Sequence, residues 1–113
     1  MNVTVVARHI EITDAMKRHA QEKAGKLTKF YDGLQSAAVT LDMDAGEYAA
    51  EIVATGRRKS VFVARHRGED LSACVDQCVH KLSEQLRRYK DRVRDRHGPG
   101  HDQTMVVEEP PEP

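Results

Sequence analysis

VTLDMDAGEYAAEIVATGRRKSVFVARH, residues 39–66, is the stretch on which the fold turns. Val39, Leu41 and Met43 alternate with Thr40, Asp42 and Asp44, the period of two that gives a strand one buried and one wet face. Ala45-Gly46-Glu47 reads as a hairpin turn. Tyr48–Thr55 and Ser60–His66 read as two further strands joined by Gly56-Arg57-Arg58-Lys59, whose glycine is expected to supply the positive φ of a tight turn. Three such runs, separated only by short turns, predict an antiparallel meander.

On the N-terminal side, Asn2–Arg8 is rich in Val and Thr and too short for a helix, so it predicts a strand. Thr13 is an N-cap and Asp14 a first-turn acid for a helix running to about Tyr31, with Met16, Ala20, Ala24, Leu27 and Tyr31 on one stripe. Gly25 inside it costs roughly 1 kcal/mol relative to Ala. Asp32-Gly33 ends it. On the C-terminal side, Asp70 caps a long helix from Leu71 to about Arg96, whose apolar residues Leu71, Val75, Val79, Leu82, Leu86, Tyr89 and Val93 recur at spacings of four and three. Gly98-Pro99-Gly100 stops it, and residues 98–113, acidic and Pro-rich, are expected to be disordered. The prediction is an α+β domain over residues 1–97, order β-α-β-β-β-α, with a four-stranded sheet and two helices on one face. At 113 residues there is material for one core.

The formal net charge of zero conceals a polarity. Residues 1–56 hold 6 Lys/Arg against 8 Asp/Glu, residues 57–97 hold 12 against 6, and residues 98–113 hold none against 4. A neutral total therefore leaves a polyanionic partner open, since binding follows how charge is clustered. At 100° per residue, Lys81, Arg88 and Arg92 fall on one flank of the last helix's apolar stripe, and Arg87, Lys90 and Arg94 on the other. Lys26 and Lys29 line a flank of the first helix, with Lys23 nearer the seam. Charges on amphipathic helices ordinarily just solvate the outer face. From Lys81 to Arg96, however, seven Lys/Arg face three acids, too lopsided for i,i+4 pairing to explain. The expected site is a groove between the helices in which Lys81, Arg88 and Arg92 adjoin Lys26, a surface for phosphates. There is no Trp, and Phe30, Tyr31, Phe62 and Tyr89 fall at packing positions, so backbone recognition of folded RNA is favoured over base stacking.

Other chemistries find little material. Cys74 and Cys78 lie four apart on one helix face with only His80 near, short of the four ligands zinc takes, so they read as small core residues in a reducing compartment. His97 and His101 are separated by Gly98-Pro99-Gly100, which forbids the helix that would aim both at one ion. Ala24-Gly25-Lys26-Leu27-Thr28 resembles the end of a phosphate loop without its leading glycines or strand, and no nucleophile stands beside a base. No enzyme, metal or cofactor is expected, and no small-molecule substrate. No run of about 18 apolar residues or signal-peptide pattern occurs, so the expectation is a cytoplasmic protein with no membrane partner.

The segments IEITDAMKRHAQEKAGKLTKFYDGL and GEDLSACVDQCVHKLSEQLRRYKDR, with the meander between them, resemble the ribosome hibernation promoting factors and ribosome-associated inhibitor A over about residues 1–97. The likeness is carried by Glu11–Thr13, Lys26-Leu27, Gly68–Asp70 and Lys81–Leu86. Two positions depart from it: Ser72 where the family often has an aromatic, and Glu84 where it often has a basic residue. The resemblance implies the β-α-β-β-β-α fold and binding to the small ribosomal subunit, in the channel for messenger RNA and transfer RNA, so that occupancy blocks translation. It maps ribosomal RNA contact onto Lys23, Lys26, Lys81, Arg88, Lys90 and Arg92; Lys29 and Arg87 join them from the charge pattern alone. The short-form members are the better match, since the acidic tail is not expected to build a dimerising domain, and a monomer off the ribosome follows. A different reading in the same family is a sigma-factor modulator acting through protein contacts, with Asp42, Asp44 and Glu51 as its surface.

Overall fold

The computed structural model describes residues 1–95 and 106–108. Its first strand, β1 (Asn2–Arg8), leads through Thr13 into helix α1 (Asp14–Gly25). The Thr13 hydroxyl accepts from the Met16 N–H at 3.1 Å, the expected cap. The helix is shorter than its stripe suggests: at Lys26 it tightens into a 3-10 turn, Lys26–Lys29. The meander is β2 (Leu34–Asp44), β3 (Glu47–Gly56) and β4 (Val61–Gly68), followed by α2 (Leu71–Asp95). Asp70 caps α2 through the Ser72 N–H at 3.0 Å. The β-α-β-β-β-α order stands as expected.

β1 pairs parallel to β2, and β2–β3 and β3–β4 are antiparallel, so strand order follows chain order. α1 rests on the β1–β2 side and α2 on β3 and β4. The core between them holds Ala20, Ala24 and Leu27 from below α1, Val39, Leu41, Ile52 and Phe62 from the sheet, and Val75, Leu82 and Leu86 from α2. Cys74 and Cys78 are buried there as free thiols, and burial pushes the Cys78 thiol up to about 12. Tyr31, Phe62 and Tyr89 close one end as an edge-to-face trio with centroids 5.1, 5.2 and 6.5 Å apart.

Three readings need correction. β2 begins at Leu34, earlier than its alternation reveals, because Ser36-Ala37-Ala38 has little strand propensity and is carried by pairing on both sides, with the β3 register shifting between Leu34 and Ser36. Gly56 is extended at φ −134°, and the left-handed positions of the β3–β4 turn are Arg58 at 60° and Lys59 at 61°. Finally, Val106–Glu108, expected to be disordered, forms a fifth strand, β5, pairing parallel to Val61–Val63. The Val106-Val107 pair is the β-prone part of the tail, and the outer edge of β4 offers it unpaired backbone groups. The rest of the 98–113 tail, Arg96 and the His97/His101 pair lie outside the described residues.

Candidate nucleic-acid interface

The helices lie side by side, tied near their starts by His19 Nε2 to Asp76 at 3.0 Å and by the Ser72 hydroxyl donating to Met16 Sδ at 3.5 Å. Downstream of these ties the chain places its cations. In a 3-10 turn side chains three apart eclipse, so Lys26 and Lys29 project the same way, both exposed. Lys23, one turn earlier, is half-buried toward the seam. Across from them Arg87 stacks its guanidinium on Phe30, 5.0 Å from the ring centroid. Lys29, Phe30, Arg87, Lys90 and Asp91 enclose a depression of about 390 Å³. Three cations, Lys29, Arg87 and Lys90, thus line the depression with one aromatic and a single acid, Asp91.

The flank of α2 that adjoins α1 is therefore the one carrying Arg87 and Lys90, and the expected arrangement is reversed. Lys81, Arg88 and Arg92 are on the far flank, over the outer edge of β4. Lys81 is only 7% exposed and donates from Nζ to the Arg65 carbonyl at 2.8 Å. One turn on, Gln85, 3% exposed, donates to the Val63 carbonyl at 3.1 Å. Both side chains satisfy carbonyls of β4, Lys81 at Arg65 past the end of the β5 pairing, a structural duty that the helical wheel could not distinguish from phosphate contact. Arg88 and Arg92 are exposed beyond them.

The acidic strand face is not free. Asp42 takes His9 Nδ1 at 2.8 Å, a hydrogen bond that holds its carboxyl below the usual range. Glu51 accepts from Arg65 Nε at 2.7 Å, and Arg67 lies 3.6 Å from Asp44 and 3.5 Å from Glu47. Cross-strand pairing neutralises this surface internally. Of the two family departures, Ser72 makes the Met16 contact already described, and Glu84 faces His80 at 3.8 Å.

The two ends of the molecule differ in sign. α1 and α2 both begin at one end, where Glu11, Glu69 and Asp70 rim a cleft of about 580 Å³ floored by Ile10, Ile12, Met16, Tyr48 and Leu71. At the other end, the 3-10 turn, the second half of α2 and the β3–β4 turn bring together Lys26, Lys29, Arg87, Arg88, Lys90 and Arg92 with Arg57, Arg58 and Lys59. Sequence reasoning missed the last three because it read Gly56–Lys59 only as a connector. Their signal was visible: three consecutive cations in a turn. Among the described residues no group of three or more His, Cys, Asp or Glu is placed to hold a metal ion, and no helix is long and apolar enough to cross a membrane.

Comparison with known proteins bears on this pole. Residues 3–94 match the profile of the family described as sigma 54 modulation protein / S30EA ribosomal protein. A ribosome hibernation promotion factor of Staphylococcus aureus (strain COL) is 31% identical over 103 residues, covering 89% of this chain and 54% of that protein. One from Rhizobium meliloti (strain 1021) is 28% identical over 109 residues, covering 95% and 57%. The chain spans about half the length of these relatives. Among solved structures, the N-terminal domain of Thermus thermophilus Protein Y superposes with a TM-score of 0.71 at 29% identity, covering 79% of this chain and 99% of that one. A ribosomal subunit interface protein from Coxiella burnetii shares the fold at a TM-score of 0.73 and 19% identity, covering 80% and 99%.

Proposed function

The chain belongs to the sigma 54 modulation protein / S30EA ribosomal protein family, and on that premise we propose that it binds RNA of the small ribosomal subunit through its cationic pole and holds the ribosome inactive by occupancy. The observation that carries this reading is the cluster of Lys29, Arg87 and Lys90 around Phe30, with Asp91 the one acid lining it and Lys26 exposed on the same 3-10 turn as Lys29. Guanidinium and ammonium groups so placed neutralise phosphates and release their counterions. The aromatics near this pole do not form a stacking platform: Tyr31, Phe62 and Tyr89 pack on one another, and Phe30 is half-buried under Arg87, while Tyr48 lines the cleft at the other end. Recognition is therefore of RNA shape and backbone.

Filling the channel where messenger and transfer RNA lie requires no reaction, and we assign the chain no catalysis, cofactor or small-molecule substrate. It acts in the cytoplasm, with ribosomes, as a monomer before it binds. The relatives' names as ribosome hibernation promotion factors support this reading. The alternative, docking to a protein through Asp42, Asp44 and Glu51, has less behind it, since those carboxylates are engaged by His9, Arg67 and Arg65.

The test is charge reversal at the pole. Lys29→Glu, Arg87→Glu and Lys90→Glu together should abolish co-sedimentation with purified small ribosomal subunits at physiological salt. The same protein should still unfold cooperatively, with its thermal midpoint lowered by no more than the loss of the Arg87–Phe30 contact, because all three side chains are exposed. Reversal of Arg8 and Lys17, exposed at the opposite end, should leave co-sedimentation intact. A folded triple variant that still pellets with subunits would refute the assignment.

A further inference from the structure

We propose that the β3–β4 turn, Arg57-Arg58-Lys59, is a second phosphate-binding element of the same pole, built to present its cations rigidly to RNA; this rests on the RNA-binding reading above. All three side chains are exposed. The backbone beneath them is clamped. Gly56 N–H donates to the Ser60 carbonyl at 2.9 Å, Ser60 N–H to the Arg57 carbonyl at 3.2 Å, and Arg57 N–H to the Gly33 carbonyl at 3.1 Å. Ser60 is fully buried, and its hydroxyl donates to the Arg57 carbonyl at 2.9 Å. Gly56 permits this closeness, for an added Cβ would lie 2.8 Å from Ser60 Oγ and 3.2 Å from the Gly33 carbonyl oxygen. The turn is thus docked on the segment between the 3-10 turn and β2, next to Tyr31, which itself packs on Tyr89 of α2.

Its residue choice runs against local preference. Arg58 and Lys59 are both left-handed, at φ 60° and 61°, a region that disfavours side chains bearing a Cβ. The other hairpin turn of this sheet places Gly46 at its second left-handed position, φ 80°. A turn needed only to join β3 to β4 would be better served by glycine. The three side chains are exposed, so packing does not account for the choice, and the ion pair of Arg57 with Asp32 at 3.6 Å joins two largely exposed groups. What Arg58 and Lys59 add is charge at a fixed position. Together with Lys29, Arg87 and Lys90 on separate elements, they form two sets of cations, the arrangement that meets phosphates from both strands of a folded RNA stem.

The test replaces Arg58 and Lys59 together by glycine, which removes two charges and relaxes both left-handed positions. Thermal stability should stay level or rise. Affinity for purified small ribosomal subunits should fall roughly ten-fold at low salt, and the slope of log affinity against log salt should become shallower by about two. Arg58→Asn with Lys59→Asn, also compatible with left-handed backbone, should reproduce the loss if the glycine pair loosens the turn. Unchanged affinity and slope, with the Lys29/Arg87/Lys90 reversal still failing to bind, would reduce the turn to a connector and overturn this proposal alone. If neither variant loses affinity, the RNA-binding reading falls and this inference with it.

Discussion

Lys81 shows what a single position in a sequence leaves undetermined. It lies in the segment that most resembles the family and on a strongly basic helix, so a phosphate contact was the natural expectation. In the structure its ammonium is spent inside the molecule, on the Arg65 carbonyl. Replacing it by Met keeps the apolar stem but strands that carbonyl, so Lys81→Met should destabilise the protein by about 1–3 kcal/mol. Chemical denaturation measures the loss, and binding per folded molecule should be retained. A variant of unchanged stability with lost ribosome binding would return Lys81 to the interface. No sequence pattern separates a lysine capping a strand edge from one facing solvent; both sit beside the apolar stripe, and the distinction is whether an edge strand lies beneath.

Among the elements, α2 was legible almost completely: its cap at Asp70 and, over the described side chains to Arg92, its apolar spacing and basic flanks are present in the structure. Which flank adjoins α1 was not, because the two are equivalent in a helical projection. That choice is made by strand order, which puts β1 and β2 under α1 and leaves β4 at the far side of α2. The end of the first helix is the reverse case, where local tightening changed the geometry without changing the apolar pattern. Gly25 marks the junction, with helical φ −61° and ψ −26° and open space where a Cβ would point. Gly25→Ala should therefore stabilise the fold by roughly 0.5–1 kcal/mol, raising the thermal midpoint. Ribosome binding should be unchanged; a loss would show that RNA backbone approaches this helix at the glycine.

At the scale of the whole molecule, the fold could be read because alternation in residues 39–66 and helical spacing on both sides point to one architecture. The fifth strand could not, since a Val-Val pair in an acidic tail gains structure only from the edge it meets. The electrical polarity was half visible: charge counts separated basic from acidic segments, but folding was needed to bring Arg57–Lys59 beside the ends of the helices and to gather Glu11, Glu69 and Asp70 at the other end. Such a molecule approaches a polyanion cationic end first. The central claim is that this end binds by neutralising phosphates. Equilibrium affinity for purified small ribosomal subunits, measured between about 50 and 200 mM monovalent salt, tests it most directly. With on the order of five to eight phosphates contacted, affinity should fall by a few decades across that range. An affinity that stays level would contradict the account.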